Sequence, residues 1–98
     1  LTQGDNASAA LALAGVKRNN AALAQILTKD YSAAKNTLSG ISNPDATTYY
    51  LMAVLGARTN NENMITSNLR QAIKLDKDMA KRAATDLEFS RFNLSSVL

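Results

Sequence analysis

Apolar residues recur along the chain at the spacing of one helix face. Three sets occupy positions i, i+4 and i+7, as expected for residues that align on an α-helix. The sets are Ala9, Leu13 and Val16; Ala34, Leu38 and Ile41; and Ile65, Leu69 and Ala72. The period is irregular, since the step from Ala9 to Ala34 is shorter than the step from Ala34 to Ile65. A face that recurs in this way predicts an all-α fold built from repeated helical units.

Residues that favour helix ends divide the chain into six predicted helices. These lie near 6–14, 19–28, 31–39, 44–58, 61–75 and 79–92. Gly15 and Gly40 follow helices at a position that favours a left-handed backbone, and Pro44 is predicted at the first position of a helix. Because the connections are short, consecutive helices are expected to pack as antiparallel hairpins.

The last predicted helix, 79–92, combines one apolar stripe with a polar remainder. The residues on the stripe are Met79, Ala83 and Leu87. The charged residues expected to face water are Lys81, Arg82, Asp86 and Glu88. This arrangement predicts a terminal helix that caps the open end of a helical stack.

Composition narrows the possible chemistry. Hydrophobic residues make up 46% of the 98 residues, which is enough for one modest core, and no apolar run is long enough to span a membrane. Cysteine and histidine are absent, which removes disulfides, thiolate chemistry and the commonest general base and metal ligand. The net charge of +3 is only a mild bias. The asparagine-rich, cysteine-free composition is similar to that of bacterial periplasmic or envelope proteins; it also fits the cytoplasm, so the compartment is left open.

The stretch "LRQAIKLDKD", residues 69–78, resembles the closing motif of the tetratricopeptide repeat (TPR) family, a helix–turn–helix repeat. In that pattern Ile65 and Ala34 take the small packing position, and Leu69 and Leu38 take the large apolar one. "KDY" at 29–31 is similar to the family's "GDY" turn, with Lys29 in place of glycine. Ala22 and Ala53 match the small residues at which paired helices approach closely.

The resemblance covers roughly residues 4–77 and departs from the family in its shorter spacing and at Gln25 and Gly56, where tyrosine is usual. It implies one domain over 1–98, a right-handed α-solenoid of antiparallel helix hairpins with about six helices. In this assignment 5–15 is helix B of a truncated repeat, 19–41 and 44–76 are repeats, and 78–92 is the capping helix. We therefore expect the C-terminal part of a longer array.

Catalytic and metal sites have little support in the residues. Asp76 with Asp78 lies at a predicted helix junction and Asp86 with Glu88 on a polar face, where acids usually cap helices or are solvated. The loops lack the alternating acids of an EF-hand, and the four glycines are isolated rather than clustered in a phosphate-binding loop. A serine with a lysine base is left open, but no motif indicates one. We predict no enzyme activity, no cofactor and no metal.

A weak helical nucleic-acid binder is one alternative. A basic stripe at helical spacing is formed by Arg70, Lys74, Lys77 and Lys81. Such a stripe can follow phosphates, but two aspartates interrupt it and no stacking aromatic residues are interleaved with it.

The family resemblance implies a protein-binding or scaffolding module, with a peptide or protein bound on the concave helix-A surface. The candidate binding residues are Asn19, Asn20, Leu23, Thr47, Tyr50, Val54 and Arg58. For three of them another role is open, since Tyr50 and Val54 suit a core and Arg58 can pair with a nearby acid. Leu23 and Val54 stand where the family's carboxylate clamp has polar or basic residues, which argues against recognition of chaperone C-termini. A structural, self-associating segment of a larger protein is the other alternative.

Overall fold

The structure, a computed structural model, describes the backbone of residues 3–95, 97 and 98 and the side chains of residues 15–95, 97 and 98. These residues form helices and turns, which confirms the all-α class. The elements are α1 (Gln3–Leu27), α2 (Tyr31–Ser39), α3 (Ala46–Arg58), α4 (Glu62–Leu75), α5 (Asp78–Thr85) and a 3-10 turn (Leu87–Phe89). They divide into two compact units, the first ending at Pro44 and the second beginning at Asp45. The assignment of 1–98 to a single domain stays a prediction.

Helix α1 is continuous where two helices and a break after Gly15 were predicted. A glycine inside a helix costs only about 1 kcal/mol relative to alanine, which does not end a helix that has Ala14 before the glycine and the helix formers Lys17 and Arg18 after it. Gly40 has φ −81°, and none of the described glycines has a positive φ, so the left-handed assignment is wrong for both residues. Val16 is exposed rather than on a buried face, while Ala9 and Leu13 lie outside the described side chains.

The turn from α1 to α2 takes its left-handed residue from Lys29, with φ 66°. The amide of Asp30 donates to the carbonyl of Gln25 (2.8 Å), and the amide of Lys29 donates to the carbonyl of Ile26 (3.0 Å). These two bonds form a Schellman motif. The side chain of Asp30 then caps α2 by accepting a hydrogen bond from the amide of Ala33 at 3.4 Å.

The turn from α3 to α4 repeats this geometry, with Asn60 in the place of Lys29. Asn60 is left-handed with φ 58°. The amide of Asn61 donates to the carbonyl of Gly56 (2.8 Å), and the amide of Asn60 donates to the carbonyl of Ala57 (3.3 Å). Asn61 caps α4 through its Oδ1, which accepts from the amide of Met64 at 3.2 Å. Each hairpin therefore has the same turn, in the register that the second and third apolar sets predicted.

Helix α3 starts two residues later than predicted because Asp45, rather than Pro44, sets its beginning. The Asp45 Oδ1 accepts from the amide of Thr48 (2.9 Å), and the Asp45 amide donates to the Thr48 hydroxyl (3.2 Å). This reciprocal capping box satisfies two backbone donors at the helix start.

Small residues let the helices of each hairpin pack closely. In the first unit Ala22 of α1 and Ala34 of α2 are fully buried, and α1 packs against α2. In the second unit Ala53 is fully buried on α3, which packs against α4. A Cβ added to Gly56 would meet the backbone nitrogen of Ile65 at 3.0 Å, so this glycine permits the close approach of the two helices.

The terminal helix α5 ends at Thr85, well before the predicted end at residue 92. Met79 is buried as predicted, but Leu87 is 86% exposed and Phe89 is buried, with only 2% exposed. The reason is Asp86, whose extended backbone (φ −82°, ψ 124°) breaks the helix and changes the register of the following residues. Its Oδ1 accepts from the amide of Glu88 at 2.9 Å, which starts the 3-10 turn.

Candidate functional site

Three of the predicted binding residues, Tyr50, Val54 and Arg58, share one face of α3 at i, i+4 and i+8. This α3 face is not open. The chain that follows α5 lies against it through residues 86–91, which we call the C-terminal strap. Helix α3 packs against the 3-10 turn at the centre of the strap, and Tyr50 and Val54 are buried.

An ion pair joins the end of α3 to the strap. The Arg58 Nε donates to the Glu88 Oε1 at 3.0 Å, and the Arg58 Nη2 donates to the Glu88 Oε2 at 2.6 Å. The parallel geometry is the strong form of an arginine–carboxylate contact. Both side chains keep some contact with water, so screening limits the pair to roughly 1 kcal/mol.

Three side chains contact Tyr50. Its hydroxyl donates a hydrogen bond to Asp86 of the strap. The ring of Phe89 meets the Tyr50 ring edge-on, with centroids 5.6 Å apart and an 83° angle between the planes. The guanidinium carbon of Arg82, from α5, lies 4.7 Å from the ring centroid as a cation–π contact. Burial, the hydrogen bond to Asp86 and the negative charge of Asp86 together raise the pKa of Tyr50 well above its ordinary value.

The end of the strap binds the backbone of α3. Arg91 donates from its Nη2 to the carbonyl oxygen of Ala57 at 3.1 Å. Phe89 supplies the buried apolar group, while Asp86 and Glu88 supply the charged ones. The strap thus combines one aromatic anchor with polar contacts on both sides of it.

Of the strap residues, Asp86 and Glu88 were predicted to face water, but in the structure both are only half-exposed and contact α3. The apolar spacing of Met79, Ala83 and Leu87 is compatible with a longer helix, so periodicity alone favoured it. The one local signal was aspartate two residues before glutamate, which suits a cap as well as a polar helix face. Phe89 carried no periodic signal.

The other four predicted residues lie on α1 and at the start of α3. Asn19 is buried, whereas Asn20 and Thr47 are exposed. Leu23 is 41% exposed, although Val54, at the equivalent position of the second hairpin, is buried. The structure therefore gives α1 and α3 different surroundings at equivalent positions.

An apolar stripe on α1 was not predicted as a set. Val16, Leu23 and Leu27 are 48%, 41% and 62% exposed, and their spacings of seven and four place them on one helix face. We call this set the α1 stripe. It was missed because the assumed break after Gly15 placed Val16 outside the predicted helix 19–28 that contains Leu23.

The basic stripe is divided between two helices. Arg70 and Lys74 lie on α4 and Lys81 on α5, and all four basic residues are exposed. Between the helices Asp76 has an extended backbone and its Oδ1 accepts from the amide of Asp78 at 3.0 Å. The aspartates thus have the predicted helix-junction position. Nucleic-acid binding through the basic stripe stays an untested alternative.

No other feature indicates chemistry in the part of the chain with described side chains. Every buried side-chain nitrogen or oxygen there has a hydrogen-bond partner. The same residues contain no group of three or more acids that is placed to hold a metal ion. A surface cleft of about 320 Å³ lies beside the strap, and Asp86 is its single charged lining residue.

Comparisons of the chain with family models, with curated proteins and with solved structures found no match. The TPR resemblance therefore rests on the residues alone and stays a prediction. None of the helices in the described range is both long and apolar enough to cross a bilayer.

Proposed function

We propose that the chain is a non-catalytic protein–protein interaction module of TPR type, which binds a peptide or protein on the faces of its A helices, α1 and α3. The TPR-like α-solenoid is part of the same proposal. Its support is the pair of hairpins whose turns match bond for bond, with Lys29 and Asn60 as the equivalent left-handed residues.

The observation that carries the proposal is the α1 stripe. Single exposed apolar residues are ordinary on protein surfaces, but several exposed apolar residues aligned on one helix face favour an interaction site. The predicted binding residue Leu23 lies at its centre, and the exposed amide of Asn20 lies within the stripe's span. Leucine provides buried area, and an asparagine amide can donate to and accept from a peptide backbone.

The test compares exposed leucines at two places. Leu23→Ser and Leu27→Ser remove apolar area from the α1 stripe, whereas Leu75→Ser removes a similar exposed leucine from the end of α4. A partner captured by the wild-type chain is purified and its affinity measured against all three variants by calorimetry. We expect each α1 variant to bind about tenfold more weakly, since apolar anchors at interfaces commonly contribute about 1–2 kcal/mol. Circular dichroism checks that each variant is folded.

The proposal fails if both α1 variants keep wild-type affinity, or if Leu75→Ser weakens binding as much as they do. The second outcome would indicate nonspecific adhesion through exposed leucines.

The same stripe also favours self-association, because an apolar face can pair with its own copy. Light scattering over a range of concentrations separates the two functions. A dimer that Leu27→Ser dissociates would favour self-association, and a monomer at every concentration would exclude it in favour of a separate partner.

A further inference from the structure

The α3 face and the strap have complementary polar and aromatic groups. The face provides an aromatic ring with a hydroxyl donor at Tyr50 and a guanidinium at Arg58, two turns further along the same side of the helix. The strap provides Asp86 for the hydroxyl and Glu88 for the guanidinium. The next residue, Phe89, supplies the ring that packs on Tyr50. Each polar group of the face therefore has a specific counterpart within one short stretch of the strap.

The strap itself has little regular structure. After α5 ends at Thr85, the described chain contains only the short 3-10 turn and then turns and bends. Leu87, inside the 3-10 turn, is the most exposed large apolar residue of the described side chains. Segments with few internal hydrogen bonds and few buried side chains open at lower free energy than the helices on which they lie.

The ion pair between the end of α3 and the strap is also accessible to water. Arg58 and Glu88 each keep part of their side chains exposed, so a competing carboxylate can approach Arg58 before Glu88 leaves. Phe89 is the deeply buried part of the contact, and a competitor needs a ring of its own to replace it.

We propose that the strap is an intramolecular ligand and that a partner protein carrying an acid, any residue, an acid and an aromatic residue in sequence binds the α3 face by displacing it. The inference deepens the proposed binding function and rests on it. It makes the α3 face a regulated site: the strap blocks weak ligands, and a partner with the same pattern competes for Tyr50 and Arg58.

The test uses the full chain and a labelled peptide, ATDLEFSRFN, with the sequence of residues 84–93. Binding is measured by fluorescence anisotropy to the wild-type chain and to Glu88→Gln, which weakens the strap and leaves the α3 face intact. Glu62→Gln, a change at an exposed glutamate on α4, is the matched control. A peptide with glutamine for Glu88 and alanine for Phe89 controls for specificity.

We expect the peptide to bind Glu88→Gln about fivefold more tightly than the wild-type chain, since a partly exposed ion pair of roughly 1 kcal/mol corresponds to that factor. Glu62→Gln should behave as wild type, and the control peptide should bind none of the chains. The proposal is overturned if the two peptides bind equally, or if Glu88→Gln leaves the affinity of the first peptide unchanged.

Hydrogen exchange on the wild-type chain gives a second readout that needs no variant. The amides of Phe89 and Ser90 donate to the carbonyls of Asp86 and Leu87 within the strap. If the strap detaches by itself, these amides exchange faster than those in the middle of α3, and saturating peptide speeds them further. Exchange of the strap amides only at the rate of α3 would show that the strap opens with global unfolding, which contradicts the proposal.

Two further outcomes are distinguishable. A chain that is dimeric and becomes monomeric on addition of the peptide would show strap exchange between two copies, and would overturn the assignment of a separate partner. If the α1 variants lose a partner while the peptide fails to displace the strap, the binding function stands and only this inference falls.

Discussion

Phe89→Ala tests whether the strap is packed in the register that the structure shows. Phe89 is almost fully buried and its ring packs edge-on against Tyr50. Replacing a buried phenylalanine with alanine costs about 3–5 kcal/mol, because the apolar area is lost and a cavity is left. The loss is large beside the roughly 5–15 kcal/mol that stabilises a domain, so we expect a lower midpoint in urea and a melting temperature lower by more than about 10 °C.

Leu87→Ala is the matched control, since Leu87 lies two residues earlier and is mostly exposed. A substitution at such a position changes the free energy of unfolding by less than about 0.5 kcal/mol. A helix that continued to residue 92 would reverse these costs. Leu87 would then lie on the buried stripe with Met79 and Ala83, and its truncation would cost about 2–5 kcal/mol.

Urea denaturation followed by circular dichroism measures both variants under the same conditions. A large loss for Phe89→Ala with almost none for Leu87→Ala supports the strap. Equal losses, or a larger one for Leu87→Ala, would refute the break at Asp86 and the packing of the strap on α3.

Two further predictions concern the turns and the tyrosine. Lys29→Gly should raise the free energy of unfolding by about 0.5–1 kcal/mol, because a left-handed backbone strains lysine but not glycine. Asn60→Gly should raise it by less, since asparagine tolerates that conformation. Equal increases for the two variants, or a decrease for either, in urea denaturation would contradict this reasoning. Tyr50 has a raised pKa when folded, so its contribution to stability is complete below the unfolded value of 10.0 and falls as the pH rises towards the folded value. Tyr50→Phe should remove the tyrosine component that titrates at the highest pH in an ultraviolet absorbance titration of the folded chain. An unchanged titration curve would contradict the assignment of the raised pKa to Tyr50.

The sequence was informative about helices and turns because their signals are local. The apolar period located α2 and α4, whereas the start of α3 was placed from Pro44 and its neighbours. The register that relates Ala34 to Ile65 holds in the structure as two matching hairpins. Lys29, which aligns with a glycine in the resembled family, has the left-handed backbone that glycine would adopt most easily.

Helix ends were predicted less well where they depend on residue combinations. Glycine is compatible with both a helix interior and a helix end, so Gly15 alone could not decide between them. The observed ends of α1 and α3 share a different signal, which is "TKD" at 28–30 and "TNN" at 59–61. In each, a threonine is followed by a polar residue with a left-handed backbone and then by an Asp or Asn that caps the next helix. Both Thr28 and Thr59 hydroxyls donate back to carbonyls of their own helix, which helps to satisfy the last turn.

The sequence predicted only one of the two surfaces that meet at the candidate site, the α3 face. The spacing of Tyr50, Val54 and Arg58 correctly placed them on one face of α3. What covers that face depends on contacts between Tyr50 and Asp86, and between Arg58 and Glu88, which are far apart in sequence. A helix continuing through Asp86 satisfies the local pattern equally well, so only these distant partners decide that the helix ends there.

The free energy of strap detachment sets an upper limit on the loss of unfolding free energy that a substitution within the strap can cause. Once the strap has detached, Phe89 is already in water, and changing it to alanine does not alter the free energy of that state. The loss measured for Phe89→Ala in global unfolding therefore cannot exceed the free energy of detachment. A loss of about 3–4 kcal/mol means that at most roughly one wild-type chain in a hundred to one in a thousand has an open α3 face. A partner with an apparent dissociation constant near about 1 μM must then bind the open face with a constant of about 1–10 nM. Affinity of that order requires a buried aromatic anchor as well as charge pairs, which is why the proposed partner pattern includes the ring after its second acid.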